Sequence, residues 1–152
     1  MKALHAIVVA LATASMLTSV AAGGPDAARQ RVAIMTKGVA NTSRPAQFVL
    51  DPLQVGSLRQ DSGTTRPVGS LPPERVVIRE GQRVAIYDRI VETLEGKRGT
   101  LTISSRIEYV DAGNGYHVGT GTWKVVRGTG QYAQVTGGGV FGNVVVERTA
   151  SR

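Results

Sequence analysis

Residues 119–142 read GTGTWKVVRGTGQYAQVTGGGVFG, a strand, a glycine-punctuated connection and the start of a second strand. Alternate residues of the first strand fall into two sets. Thr120, Thr122, Lys124 and Val126 share one face, and Gly121, Trp123 and Val125 share the other. This period of two is typical of a half-buried β-strand. Gly128 and Gly130 then interrupt the alternation, because glycine adopts backbone conformations that other residues resist.

The same alternation predicts further strands on both sides of this stretch. They cover residues 31–37, 46–50, 75–79, 84–94, 100–110, 116–127 and 140–148. Turn signals separate the last strands, EGKRG at 95–99 and DAGNG at 111–115. Residues 56–73 are rich in Gly, Ser, Thr and Pro and predict a long loop. No segment downstream of residue 30 has a helical period, so the sequence predicts an all-β protein.

The first 22 residues have the pattern of a secretory signal peptide. Lys2 precedes an apolar run at 6–20, and the small residues that precede a cleavage site end at Ala22. Cleavage before Gly23 would leave a flexible mature N-terminus at 23–30 and one domain at 31–152. The alternative is an uncleaved membrane anchor, which the threonines in the short run disfavour. We therefore expect a secreted or periplasmic protein with no stable membrane insertion after cleavage.

Composition excludes several classes of site. The formal net charge is +7, but the basic residues are scattered, whereas a nucleic-acid interface concentrates them among aromatic residues. The absence of cysteine excludes disulfides, thiol catalysis and thiolate metal sites. His117 is the only histidine after the predicted cleavage point, so no metal site is expected. The glycines at 119–121 and 128–130 lack the strand–turn–helix context of a dinucleotide loop, so no cofactor is expected either.

Four glycine-containing elements carry a resemblance to a known group. GKRGT at 96–100, GTW at 121–123, GTGQYA at 128–133 and GGG at 137–139 resemble bacterial secreted proteins related to the allene oxide cyclase and dirigent barrels. The resemblance extends from Val84 to Val146. It implies a small antiparallel barrel of about eight strands. It implies no single activity, because such folds include cyclases, stereochemical guides and proteins of other roles.

The turns suggest how the strands of this barrel pair. Pairing Leu94 with Leu101 across EGKRG keeps both leucines inside. Pairing Val110 with Tyr116 across DAGNG sets two further contacts. These are Tyr109 opposite His117 and Ile103 opposite Trp123. A slip of one residue would reverse every side chain, so the interior depends on these registers.

The two registers together predict an interior site. Asp88, Glu92, Tyr109 and His117 are the candidate catalytic residues, and Ile103, Ser105 and Trp123 are the candidate ligand-binding residues. A carboxylate or imidazole base beside a tyrosine donor is suited to proton transfer. The placement of the two acids is open, because the opposite face of their strand carries Tyr87 and Val91. In the alternative interpretation the acids neutralise cations at a wet rim and His117 bonds a neighbour.

Two classes of function remain from the sequence. The first is an exported barrel that binds a small apolar molecule in its lumen, with cofactor-free cyclisation or isomerisation as its reaction class. The second is a structural or interaction protein of the cell envelope whose interior is filled by its own side chains. The sequence names neither a ligand nor an oligomeric state.

Overall fold

The structure is a computed structural model that describes residues 7–10, 18–22, 29–39, 45–66 and 73–148. Ten strands and one 3-10 turn, Gly130–Tyr132, account for most of these residues. The strands are β1 (Ile7–Ala10), β2 (Thr18–Ala22), β3 (Arg29–Val39), β4 (Gln47–Pro52), β5 (Asp61–Arg66), β6 (Arg75–Arg79), β7 (Gln82–Gly96), β8 (Gly99–Gly113), β9 (Tyr116–Gly128) and β10 (Val135–Arg148). The predicted all-β fold is confirmed.

One antiparallel sheet contains all ten strands and curls on itself. From β3 the pairing runs through β4, β5, β7, β8 and β9 to β10. The backbones of β1 and β2 each pair with both β10 and β3, so the circuit of strand pairs is complete. β6 is off this path and pairs with β7 alone among the described strands.

The N-terminal half differs from the predicted organisation at β5 and at Gln30. β5 lies inside the segment 56–73 that was predicted as a loop, and residues 67–72 of that segment lie outside the described residues. Gln30, predicted in the flexible terminus, is buried in β3, where its side-chain amide nitrogen donates to the backbone oxygens of Gln54 and Leu58. Residues 23–28 lie outside the described part. No helix in the described part is long and apolar enough to cross a membrane.

A cluster of buried apolar side chains fills the interior from the 3-10 turn to the middle of β8, β9 and β10. Its members are Val32, Ile34, Phe48, Leu50, Leu58, Leu94, Leu101, Ile103, Ile107, Trp123, Tyr132, Val135 and Phe141. Tyr132 of the turn is almost fully buried against this cluster. We call this end of the sheet the capped end. The opposite end, where β6 lies, is the far end.

The β8–β9 register differs from the predicted one by two residues. Val110 pairs with Val118, and Tyr109 pairs with Gly119 in place of His117. The hairpin turn is only Asn114-Gly115, with positive φ angles of 54° and 77°. Two such residues form the tight turn that antiparallel hairpins favour, so β8 continues through most of DAGNG. A shift of two preserves the faces, and only the predicted partners were wrong.

A β-bulge in β7 changes the face of half the strand. The predicted Leu94–Leu101 pair is present, but the register shifts by one between Tyr87 and Ile90. Beyond that shift Tyr87 opposes Ile107, an interior residue of β8. A bulge inserts an extra residue into one strand and so reverses its alternation. Glu92 therefore faces the interior as predicted, whereas the prediction for Asp88 was wrong.

Candidate functional site

The residues predicted to line a ligand site lie together on the interior face. Ser105 pairs with Trp123, and Ile103 pairs with Val125, between the capped end and the far end. Trp123 is 3% exposed, and Ile103 and Ser105 are also buried. The inward placement of these three residues is confirmed. The predicted Ile103–Trp123 pair is not, because of the two-residue register difference.

Asp88 lies on the convex face of the sheet, in a ladder of ion pairs. Arg75 and Arg106 contact its carboxylate at 3.2 and 3.0 Å. Arg106 also contacts Glu108 at 2.7 Å, and Arg79 contacts Glu108 at 2.6 Å. Although desolvation opposes it, hydrogen bonds and charge from Arg106 and Arg75 leave the pKa of Asp88 below its usual value. For Asp88, but not for Glu92, this ladder agrees with the alternative interpretation of an acid that neutralises cations, and it separates Asp88 from the interior.

Glu92 projects into the interior from β7, opposite Ile103. Burial raises the pKa of Glu92, and a hydrogen bond with the buried Thr65 hydroxyl offsets part of that rise. Burial favours the neutral form because a carboxylate loses its hydration there. A neutral carboxylic acid donates a proton or a hydrogen bond, which a carboxylate cannot do.

Tyr109 and Asn143 meet across β9 at the far end. The Asn143 amide nitrogen donates to the Tyr109 hydroxyl at 2.7 Å. Gly119 pairs with both residues from the strand between them. A Cβ atom on Gly119 would clash with Asn143 Oδ1 and lie 2.6 Å from Tyr109 Cε1. Glycine is therefore required where these two side chains cross the strand.

The pKa of Tyr109 depends on Tyr87 and Glu92, two polar residues on its side of the interior. Burial raises the pKa of Tyr109, the bond from Asn143 opposes this, and the charges of Tyr87 and Glu92 add to the rise. The rings of Tyr87 and Tyr109 contact edge to face, with centroids 5.8 Å apart.

Two buried polar atoms of the interior have no hydrogen-bond partner among the described residues. One is the indole donor Trp123 Nε1, and the other is the acceptor Asn143 Oδ1. Buried polar atoms in folded proteins are almost always paired, with protein groups, water or ligand. We call Glu92, Tyr109, Trp123 and Asn143 the interior polar set.

On β9, His117 lies two residues before Gly119, the strand partner of Tyr109. Its side chain therefore lies on the same face as Tyr109. It opposes Asp111 on β8 and Val145 on β10. The structure therefore brings His117 to the far end of the interior face that holds Tyr109 and Glu92. Of the four predicted catalytic residues, three share this face and Asp88 does not.

Exposed apolar side chains continue the interior face at the far end. Val76 and Ile78 of β6 pair with Ala85 and Arg83, so they project on the concave side. They are 43% and 68% exposed. An accessible apolar surface thus adjoins the interior polar set.

The sequence did not identify Asn143, Thr65 or Gly119 as site residues. Asn143 lies between Phe141 and Val145 on one face of β10. A polar residue among inward apolar residues was the signal by which the sequence could have identified it. Thr65 lay in the predicted loop and gave no such signal. Within the described part of the chain, no three His, Cys, Asp or Glu side chains are grouped to hold a metal ion.

The Glu92→Gln substitution is expected to remove a pH dependence of stability. Because burial raises the folded-state pKa of Glu92, the folded state retains its proton above the unfolded pKa. The contribution of Glu92 to the free energy of unfolding is fully present below the unfolded pKa. It is lost as pH rises through the folded pKa, by up to about 1.4 kcal/mol per pH unit. Urea unfolding across this range should show the decline in the wild type and not in Glu92→Gln. Glu95→Gln, at an exposed ion pair with Arg66, is the control and should retain the decline. Identical profiles for wild type and Glu92→Gln would contradict the assignment.

No family model, curated protein or solved structure matches this chain. The relation to the allene oxide cyclase and dirigent barrels therefore stays a prediction from the glycine-containing elements.

Proposed function

We propose that this barrel binds a small, uncharged, mainly apolar molecule on its interior face, between Trp123 and the far end. The observation that carries the proposal is the pair of buried, unpartnered atoms, the Trp123 Nε1 donor and the Asn143 Oδ1 acceptor. Leaving such a group unpaired costs about 1–3 kcal/mol. A ligand that presents an acceptor to the indole and a donor to the amide would recover that cost.

The surroundings of the two atoms favour an uncharged ligand. Ser105 is the strand partner of Trp123, and Glu92 adds a carboxyl group to the same interior face. An anion there would lie near an acid and would find no lysine or arginine among the buried polar side chains of the described residues, which is costly. A hydroxylated ketone or a similar neutral oxygen compound has the matching groups. The apolar side chains of Ile107 and Phe141 lie beside them.

The same arrangement suits a cofactor-free isomerisation or cyclisation as the reaction class. A carbonyl oxygen that accepts from Trp123 Nε1 would be polarised, and Glu92 would give a proton to one substrate atom and take one back from another, so that no net proton is consumed. Tyr109 is the second donor on this face. Asp88 has no part in this proposal, because it lies on the convex face.

The test uses the single tryptophan as a reporter. The indole N–H gives one NMR signal, which moves downfield when it donates a new hydrogen bond. We expect 1-tetralone, an apolar ketone, to shift this signal and tetralin, its analogue without oxygen, to shift it far less. If neither compound moves the indole signal at millimolar concentration, the proposed site is wrong.

A matched pair of glycine substitutions locates the binding. Gly119→Ala should reduce tetralone affinity at least tenfold, because the new methyl group displaces Asn143 and Tyr109. Gly142→Ala on the same pair of strands should leave affinity unchanged, since its Cβ would meet nothing nearer than 3.8 Å. Equal affinities for the two variants would place the ligand elsewhere.

A second candidate is a structural or interaction protein of the cell envelope. The observation that favours it is the apolar cluster, which extends from the capped end past Trp123 to Ile107 and Phe141 and fills that part of the interior with the protein's own side chains. Under this function the Trp123 N–H contacts only trapped water. The tetralone titration separates the two, because a filled interior gives no ligand-dependent shift.

We further propose that the protein is exported and that the mature chain begins at Gly23. The support is the basic start, the apolar run and the small residues before Gly23. Cleavage there would remove β1 and β2, which pair with β3 and β10 in the full chain. N-terminal sequencing of periplasmic or secreted material should give Gly23 first. A first residue at or before Ile7 would mean that these strands stay in the barrel.

A further inference from the structure

β6 combines an unpaired edge with exposed apolar side chains. It pairs with β7 along one edge, and no other described strand pairs with it. Its sequence, RVVIR, has no proline, glycine or central charge of the kind that protects edge strands from pairing. Val76 is 43% exposed and Ile78 is 68% exposed. Such an edge is a template for another strand.

We propose that the occupant of this edge is β6 of a second copy of the chain, in a two-fold dimer. An antiparallel pair centred on Val77 places Val76 opposite Ile78 of the second copy and Val77 opposite its own counterpart. The strand is apolar at its three central positions and symmetric about Val77, as an isologous interface requires. The two sheets would continue into one across the dimer.

The charges at the ends of β6 are compatible with this pairing. Arg75 would lie opposite Arg79 of the second copy, and two unpaired cations there would repel. Each arginine already has a carboxylate in its own chain. Asp88 lies 3.2 Å from Arg75, and Glu108 lies 2.6 Å from Arg79. The ion-pair ladder on the convex face therefore neutralises both ends of the proposed interface.

The alternation of side chains between the two faces of β6 restricts the register in which two copies of this strand can pair. Val77 pairs with Val84 on the convex side, whereas Val76 and Ile78 project on the concave side. A two-fold axis through the sheet keeps convex residues opposite convex residues, so offsets by one residue are excluded. A five-residue strand pair buries less than a standard interface, so the dimer is expected to be weak.

A single introduced cysteine tests this geometry, because the chain has none of its own. Counterparts at Val77 would have Cα atoms about 4.5–5.5 Å apart, within the range that a disulfide bridges. Oxidised Val77→Cys should run as a covalent dimer without reductant. Val91→Cys, an apolar position that is 43% exposed in β7, should stay largely monomeric. Equal cross-linking of both variants would overturn the proposal.

Sedimentation velocity of the full chain gives the second readout. The sedimentation coefficient should rise with protein concentration in the wild type and in Val91→Lys, and the rise should be lost in Ile78→Lys. Both lysines replace exposed side chains, and circular dichroism checks that each variant is folded. A wild type that stays monomeric at millimolar concentration, or an Ile78→Lys variant that still associates, would refute the β6 dimer.

Discussion

The Trp123→Ala substitution is expected to destabilise the barrel by about 3–5 kcal/mol, the range for removing a large aromatic side chain from a core. Trp123 is 3% exposed and belongs to the buried apolar cluster of the interior. Its removal leaves a cavity between Ser105 and Gly139, its partners on the two neighbouring strands. Glycine has no side chain that could fill this space. Urea unfolding followed by circular dichroism measures the change, because the tryptophan fluorescence is lost.

Two further variants separate packing from other effects of this substitution. Trp123→Phe retains a ring and should cost clearly less than Trp123→Ala. Lys124→Ala, at the exposed neighbouring position, should change stability by less than about 0.5 kcal/mol. A loss below about 1 kcal/mol for Trp123→Ala would show that the indole is not a packed element of the interior.

The inward position of Trp123 was predictable because alternation within a strand is local. Because the threonines and Lys124 occupy the opposite face, that face is expected to contact solvent and the face of Trp123 is expected to be buried. Its partner was not predictable from the same pattern. DAGNG was interpreted as a five-residue turn, whereas Asn114-Gly115 alone forms it. Asn-Gly is a strong two-residue hairpin signal, and a turn limited to these two residues extends β8 to Gly113.

The placement of Asp88 failed for a physical reason that alternation does not encode. A bulge between Tyr87 and Ile90 lets Tyr87 and Glu92 face the interior together, although their numbers differ in parity. The convex face then receives Asp88, where Arg75 and Arg106 neutralise it. The positions of those arginines on other strands favour this solution, and strand pairing is not readable from one segment.

Asp61 shows the same limitation at the capped end. It lay in a segment predicted as a loop, yet it is 4% exposed and opposes Leu50 across β4 and β5. Four donors surround its carboxylate. These are the backbone nitrogens of Ser62, Lys97 and Arg98 at 2.8, 3.0 and 3.2 Å and the Tyr132 hydroxyl at 2.9 Å. One side chain thus connects β5, the β7–β8 turn and the 3-10 turn.

The Asp61→Ala substitution is expected to cost at least about 3 kcal/mol, because it leaves several donors without an acceptor at about 1–3 kcal/mol for each that stays buried. Asp61→Asn should cost less, since it keeps one acceptor oxygen but turns an N–H₂ group toward donors. Tyr132→Phe, which removes a single hydroxyl, should cost about 1 kcal/mol.

The double variant Asp61→Ala/Tyr132→Phe determines how the carboxylate stabilises the capped end. If Asp61 acts by accepting from Tyr132 as well as from the β7–β8 turn, losing the hydroxyl after the carboxylate should cost less than losing it alone. Chemical unfolding of the four proteins gives this coupling directly. Additive costs would mean that the 2.9 Å bond contributes nothing, and that Asp61 stabilises the end only through the backbone of Ser62, Lys97 and Arg98. A coupled result would show that the Tyr132 hydroxyl of the 3-10 turn contributes to stability through its bond to the buried Asp61 carboxylate.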